Sequence, residues 1–430
     1  MTSLPENRRA ALQLFQAVLR DHKPLDEQAE QIGRKLESRD RAFVRLLVAT
    51  TLRRLGQIDG VINRCLDRPM AAKLADVRDI LRLGVTQMVF LNTPPHAVVD
   101  TAVQLVKDGR LAPYAGLTNA VLRRVAREGH DLAAAIDETR LNTPKWLWLQ
   151  WVAHYGEDLT RAIGTAHLAE APLDISLKPN ADRAEWAARL GAEILPTGSL
   201  RRLGGGAVHE LDGFEQGVWW VQDAAAALPV TLLGDVAGKT VLDLCAAPGG
   251  KTAQLAAAGA QVTAIDRSAR RLRRVRENLD RLGLDAVIQD ADATQWRPET
   301  PADAVLLDAP CSATGTIRRH PDVARLKRAQ DVTDLAETQA ALLRASVEMV
   351  KPGGLVIYCT CSLQPAEGED QIAAALAAGL PFERVPVTPS EIGNLAEAIT
   401  PQGDLRTLPC HLSAQGGMDG FFAARLRRLA

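Results

Sequence analysis

The sequence predicts an all-α domain, then a small α+β connector, then an α/β domain on a doubly wound, mostly parallel sheet. Three observations carry this. From Leu4 to about residue 140, apolar residues recur at helical spacing and nothing alternates with period two for long. From about 141 to 221, short β-like runs flank a single helix. From Gly238 onward, strand-like apolar runs alternate with helical stretches, the pattern of strands joined by crossover helices.

In the first part, Leu12, Phe15, Val18 and Leu19 mark an amphipathic helix beside Arg8, Arg9 and Arg20. A second helix is expected over Arg39–Leu55, with Phe43, Leu46, Leu47 and Leu52 as its apolar face. Further helices are expected over Val77–Phe90, His96–Val106 and Gly116–Arg127. Composition changes near Pro144, where Trp146, Trp148 and Trp151 follow a Thr143-Pro144 start signal. The connector holds strand-like runs at Leu173–Leu177 and Gly217–Val221 around a helix near Arg183–Leu190. In the last part, strands are expected at Thr240–Leu244, Gln261–Ile265, Ala286–Gln289, Ala304–Leu307 and Leu355–Tyr358. The domains so defined are 1–140, 141–221 and 222–430.

The 430 residues are 47% hydrophobic and 24% charged, ordinary for a folded chain. No run is long and apolar enough to span a bilayer, and Met1–Arg9 lacks the apolar core of a secretory signal. Neither membrane insertion nor export is expected. The net charge of −1 conceals an asymmetry. Residues 1–150 carry 23 basic against 17 acidic side chains; residues 151–430 carry 28 against 35. A basic front suits a polyanionic partner, with chance fluctuation an even rival. Six cysteines without a C-x-x-C pair make neither a disulfide framework nor a zinc site, so a reduced, cytoplasmic, metal-free protein is expected. Nothing fixes the oligomeric state, and a monomer is the default.

In doubly wound sheets ligands bind beyond the carboxyl ends of the strands, so the chemistry is sought there. The first strand runs into Asp243-Leu244-Cys245-Ala246-Ala247-Pro248-Gly249-Gly250-Lys251-Thr252, a glycine turn through which backbone can approach a nucleotide-like ligand. Gly250-Lys251-Thr252 resembles the end of a P-loop, but Cys245 stands where that loop needs glycine. The second strand ends in Asp266, placed to accept from both hydroxyls of a ribose. Past the third strand, Asp290 and Asp292 are turn residues or ligands of an adenine amino group, and Asp292 is preferred. The fourth strand ends in Asp308-Ala309-Pro310-Cys311-Ser312-Ala313-Thr314-Gly315, and the fifth in Cys359-Thr360-Cys361-Ser362. One buried cysteine is ordinarily a packing residue; two at adjacent ends of a parallel sheet would face one crevice.

These motifs resemble the RNA (cytosine-5) methyltransferases of the RsmB/NOP (Sun, Fmu) family, and Gly116–Arg124 is similar to the RNA-binding NusB domain. Val221–Ala225, Ile317–Asp322 and Gly417–Phe422 extend the likeness over nearly the whole chain. The resemblance implies a Rossmann-like class I S-adenosylmethionine (SAM)-dependent methyltransferase domain behind a NusB-like domain, with 16S rRNA as substrate. It implies Cys361 as the nucleophile on cytosine C6, Cys311 in product release and Asp308 on the pyrimidine edge. Cys245, Ala246, Ala247, Pro248, Gly249, Gly250 and Lys251 would line the methionine part of SAM, Asp266 the ribose and Asp292 the adenine, with Asp308 at the edge of the same site.

The chemistry suits these residues. Cytosine C5 is a poor nucleophile until a thiolate adds at C6, and the base must leave its stack to be reached. Arg318, Arg319 and His320 follow the cysteine loop closely and are expected to contact RNA phosphate. The arginines at 267, 270, 271, 273, 274 and 276 share a helix opposite Leu272, Val275, Leu279 and Leu282 and read as a solvated face. Cys65, Cys359 and Cys410 are expected to pack. Two rivals are a DNA enzyme using Cys311, which Cys361 and the NusB-like front oppose, and a non-catalytic RNA-binding factor, which the intact cysteine pair opposes.

Overall fold

A computed structural model describes residues 6–107, 110–204 and 207–430; the expected start of the first helix at Leu4 lies outside them. The chain divides into two units, one formed by residues up to Leu168 with Ile317–Arg328, the other by Ala169–Thr316 with Ala329–Ala430.

Every regular element described in the first unit is helical. Phe15 and Val18 of helix Glu6–Leu19 pack with Leu47 and Leu52 of helix Ser38–Arg53. A second cluster joins Ile58 and Ile62 of helix Leu55–Arg64 to Val77, Ile80 and Leu81 of helix Ala75–Val85 and to Leu122 and Val125 of helix Ala115–Ala134. The helix expected over Val77–Phe90 widens after Val85 into a π turn, Thr86–Phe90. There Thr86 Oγ1 donates to Arg82 O at 2.8 Å and Gln87 Nε2 to Leu83 O at 3.1 Å, so side chains compete for the carbonyls of the preceding turn. The basic surplus is partly spent internally: Arg20 and Arg82 pair with buried Asp79, and Arg78 and Arg82 with Asp59. The unit runs past residue 140 through helices Lys145–Tyr155 and Glu157–His167.

Ile317–Arg328 belongs to this helical unit although it follows the fourth strand of the α/β domain. Asp322 Oδ2 accepts from Leu25 N at 2.9 Å, Arg325 donates to Asn142 O at 2.8 Å, and Arg53 donates to Arg318 O at 2.9 Å. Arg325 is half-buried, and burial lowers its pKa to about 10.

The second unit holds two sheets. The smaller is antiparallel, built from β1 (Leu173–Leu177), β2 (Glu193–Ile194), β3 (Leu200–Arg202) and β4 (Trp219–Val221) in the order β2-β3-β1-β4. Arg201 on β3 meets Asp174 on β1 in a buried two-pronged pair at 2.7 and 2.6 Å and donates to Gly417 O at 2.6 Å, tying this sheet to the segment before the last strand.

The larger sheet contains β5 (Thr240–Leu244), β6 (Gln261–Asp266), β7 (Val287–Asp290), β8 (Ala302–Asp308), β9 (Val350–Thr360), β10 (Phe382–Arg384), β11 (Leu405–Thr407) and β12 (Phe421–Arg428). The order is β10-β12-β9-β8-β5-β6-β7, with β11 also on β12. β5 to β9 are parallel, and β12 enters antiparallel beside β9. Alternate residues serve opposite faces. Val305 and Leu307 pack with Leu342 and Met349 of helix Ala329–Met349, while Ala304 and Leu306 pack with Ala224 and Leu228 of helix Ala224–Thr231. From β5 the chain moves outward to β6 and β7, then returns to β8 on the other side. The loops after β5 and β8 therefore part and leave a crevice.

Candidate active site

The loop after β5 is held from beneath and behind. Asp243 is fully buried, and Thr252 Oγ1 donates to its Oδ2 at 2.6 Å. Its Oδ1 is buried without a donor, and burial pushes the carboxyl up to about 7. Cys245 adopts a left-handed φ of 62°, and burial with Asp308 and Asp266 nearby raises its thiol to about 12. That keeps the sulfur protonated, in character with a pocket wall. Gly249 has φ +102°, and a Cβ there would stand 3.2 Å from Val275 Cα, so this turn accepts only glycine without adjustment.

Asp266 ends β6 and is 3% exposed. Its Oδ1 accepts from Ser268 N at 3.0 Å; its Oδ2 accepts from Ala247 N at 3.3 Å and lies 3.3 Å from Arg271. The carboxylate thereby fixes the β5 turn as well as the β6 end. Past β7, Asp292 Oδ1 accepts from the backbone and hydroxyl of Thr294 at 2.9 and 2.7 Å. Cys245, Asp266, Asp292, Thr294, Pro310 and Leu342 border a cleft of about 420 Å³, and Asp290 is not among its lining residues. That volume lies in the range of small-molecule sites.

Lys251 turns from this cleft toward β8, where Nζ meets Asp308 Oδ2 at 2.7 Å and lies 4.8 Å above the Phe421 ring. Burial opposes its ammonium, but Asp308 with the Cys359 and Cys361 sulfurs outweighs that and raises its pKa. A lysine committed to a carboxylate also disposes of the P-loop reading. Cys359, expected to pack, is buried and also lies 3.7 Å from Asp308 Oδ1.

β8 and β9 pair with Asp308 opposite Cys359, so Cys311 and Cys361 emerge past the same register line. Their sulfurs are 3.5 Å apart. The contact with Cys361, then burial, holds the Cys311 thiol well above its ordinary pKa. Gly315 N donates to Cys361 O at 3.0 Å, and Gly420 N donates to Gly315 O at 2.9 Å. A Cβ on Gly315 would fall 1.9 Å from Gly420 O, which explains the glycines in both the cysteine loop and the Gly417–Phe422 motif.

The structure corrects one expected RNA contact. Arg318 is 1% exposed and packed within the helical unit, so its guanidinium has no route to a phosphate. Arg319 is half-buried, and His320 Nδ1 lies 3.1 Å from Asp26. The helix Ala269–Leu282 does present exposed arginines opposite buried Leu272, Val275, Leu279 and Leu282. Phe421 and Glu367 entered no sequence argument as site residues. The Gly417–Phe422 motif marked the first, and no local pattern marks the second.

A parallel sheet reversing at β5, a glycine turn there, an acid closing β6 and an antiparallel last strand define a SAM-dependent methyltransferase. Comparison with known proteins carries this further. Residues 5–127 match the NusB family, and residues 230–427 match the family described as 16S rRNA methyltransferase RsmB/F. Ribosomal RNA small subunit methyltransferase B of Citrobacter koseri is 36% identical over 97% of this chain and 98% of its own length. The protein of that name from Escherichia coli K12 is 35% identical with the same coverage. The crystal structure of PH0851 superposes with a TM-score of 0.76 over 99% of both chains at 24% identity, a likeness of fold. A methyltransferase homolog from Pyrococcus horikoshii has a TM-score of 0.55 at 27% identity, over 67% of this chain and 97% of its own. The chain belongs to the RsmB/F family of 16S rRNA methyltransferases.

Proposed function

We propose that this protein methylates C5 of a cytosine in 16S rRNA through a covalent bond between Cys361 and C6 of the base. The observation that carries the reading is the pair of sulfurs 3.5 Å apart beyond β8 and β9, in the same unit as the Lys251–Asp308 ion pair. One thiol alone would suit packing; two thiols beyond a carboxylate at a switch-point crevice suit covalent catalysis.

The cleft beyond β5, β6 and β7 fits SAM: Asp266 and Asp292 offer acceptors for ribose hydroxyls and an amino group, and Cys245 brings the start of the β5 turn to its wall. Bound there, SAM supplies the methyl group. The chain's own residues do the rest. Cys361 gives up its proton and its sulfur bonds to C6, while the C5–C6 π electrons shift toward N3, which takes a proton. Asp308, held by Lys251 at 2.7 Å, accepts from the exocyclic amine and from protonated N3. C5, now enamine-like, becomes methylated and then loses its hydrogen as a proton. N3 gives back its proton as the C5–C6 double bond re-forms and the C6–S bond breaks. Cys311, held in its protonated form, stands 3.5 Å from the departing sulfur and can donate to it, which suits release better than attack. The front domain and the stretch at Arg319 and His320 supply the RNA contacts in this reading.

The test separates the thiols. Cys361→Ala forms no adduct and loses methylation, scored by bisulfite sequencing of 16S rRNA. Cys311→Ala still attacks and methylates but accumulates a protein–RNA adduct that survives denaturing electrophoresis. A stable adduct in Cys361→Ala, with both variants binding SAM normally, would assign attack to Cys311 and overturn the proposed mechanism.

A further inference from the structure

A buried carboxylate outside the motif residues lies behind the two thiols. Glu367 is fully buried in the short turn after β9. Its Oε1 accepts from the backbone N–H of Ser312 at 2.8 Å and from Gln339 Nε2 at 3.1 Å. Its Oε2 accepts from the Ser362 hydroxyl at 2.5 Å and from the Ser312 hydroxyl. Ser312 directly follows Cys311, and Ser362 directly follows Cys361. One side chain thus grips the residue after each reactive sulfur.

Its own position is fixed as firmly. The main-chain carbonyl of Glu367 accepts from Tyr358 Oη at 2.9 Å and from Thr360 Oγ1 at 3.1 Å, both on β9. Gln339 Nε2 also donates to Pro310 O at 2.9 Å, so the residue before Cys311 is held by the same network. Burying a carboxylate is unfavourable unless donors satisfy it. Here four donors do: three come from the two loops whose thiols must meet, and the fourth, Gln339, from helix Ala329–Met349. Apolar packing would close this space at lower cost but would fix neither loop.

We propose that Glu367 is the positioning residue that sets the Cys311–Cys361 spacing, holding both cysteine loops to one carboxylate. This rests on the reading of the two cysteines as the reacting pair. Glu367 touches neither sulfur within hydrogen-bond reach; it acts through Ser312 and Ser362. A displacement of about 1 Å in a reacting group can cost about 100-fold in rate, and losing this clamp frees both loops at once.

The test uses the full-length protein and two variants, Glu367→Gln and the double variant Ser312→Ala/Ser362→Ala. The second leaves the carboxylate in place and serves if the first fails to bind SAM. In each, kcat and KM for a 16S transcript are measured, with SAM affinity by calorimetry. Independently of activity, the thiols are oxidised with diamide, which takes two electrons and two protons as the S–S bond forms. The rate of Cys311–Cys361 disulfide formation is read by peptide mass spectrometry. With SAM affinity unchanged, kcat should fall by about 10- to 100-fold at near-constant KM, and disulfide formation should slow by at least about tenfold. A wild-type disulfide rate in a SAM-binding variant overturns the proposal, whatever happens to activity. A slowed disulfide rate with methylation persisting in Cys361→Ala would instead uphold the clamp and sink the nucleophile assignment.

Discussion

Asp243 gives a prediction whose size follows from its surroundings. It is fully buried beneath the β5 turn, one oxygen takes the Thr252 hydroxyl, and the other has no donor. Burial raises its pKa from 3.8 to about 7; Asp308 and Asp266 add to this, while Thr252 and Lys251 pull the other way. A carboxyl whose folded pKa is raised stabilises the fold while it is protonated. That stability is fully present below about pH 3.8 and is lost as pH climbs to about 7. The whole shift is worth about 4 kcal/mol, of which about 3 kcal/mol falls between about pH 5 and pH 8.5.

Asp243→Asn removes the titration while keeping an oxygen for Thr252. The buried amide N–H left unpaired costs about 1–3 kcal/mol, and that cost does not change with pH. The variant should therefore be no more stable than the wild type at about pH 5 but should gain on it steadily toward about pH 8.5. The two stability-versus-pH curves should diverge by about 3 kcal/mol across that window. Because two units can unfold separately, the assay is urea unfolding without SAM, read by pulsed hydrogen exchange on β5 peptides. Curves that stay parallel across this window would mean that Asp243 is ionised in the fold, and the account of the β5 floor would be wrong.

Two further predictions concern the ligands. Asp266→Ala removes up to two charge-assisted bonds to a ribose, very roughly 1.5–3 kcal/mol each. Calorimetry should show at least about tenfold weaker SAM binding, and unchanged affinity would remove Asp266 from the site. Arg123→Gln with Arg127→Gln neutralises two exposed arginines on helix Ala115–Ala134. It should weaken full-length binding to a 16S transcript and lower the log–log salt slope by about one per lost phosphate contact, and an unchanged slope would place the contacts elsewhere.

Strands in both sheets were legible where their signal is local. Thr240–Leu244 and Leu173–Leu177 emerge with the bounds read from the sequence. β9, in contrast, extends at both ends beyond its apolar run Leu355–Tyr358. β12 was missed because Phe421–Arg428 mixes arginines with apolar residues; its register beside β9 decides which side chains are buried. The joining of Ile317–Arg328 to the helical unit was also hidden, since its anchors Leu25, Arg53 and Asn142 lie far away in sequence. That join is why a basic run beginning at Arg318 read as surface when its first member is core.

The site divides along the same physical line. Residues at strand ends could be placed from topology alone, since a parallel sheet brings successive carboxyl ends to one edge. Residues that hold those ends could not. Lys251 was read as lining the cofactor, and its pairing with Asp308 was not foreseen, because a long side chain reaches the neighbouring strand end. Glu367 carries no local signature, since a carboxylate gripping two serines 50 residues apart depends on the β8–β9 register. Sequence pattern therefore locates the two thiols proposed to react, and register decides how far apart they stand. In this enzyme that separation is the 3.5 Å between two sulfurs, short enough for one to take the other's proton.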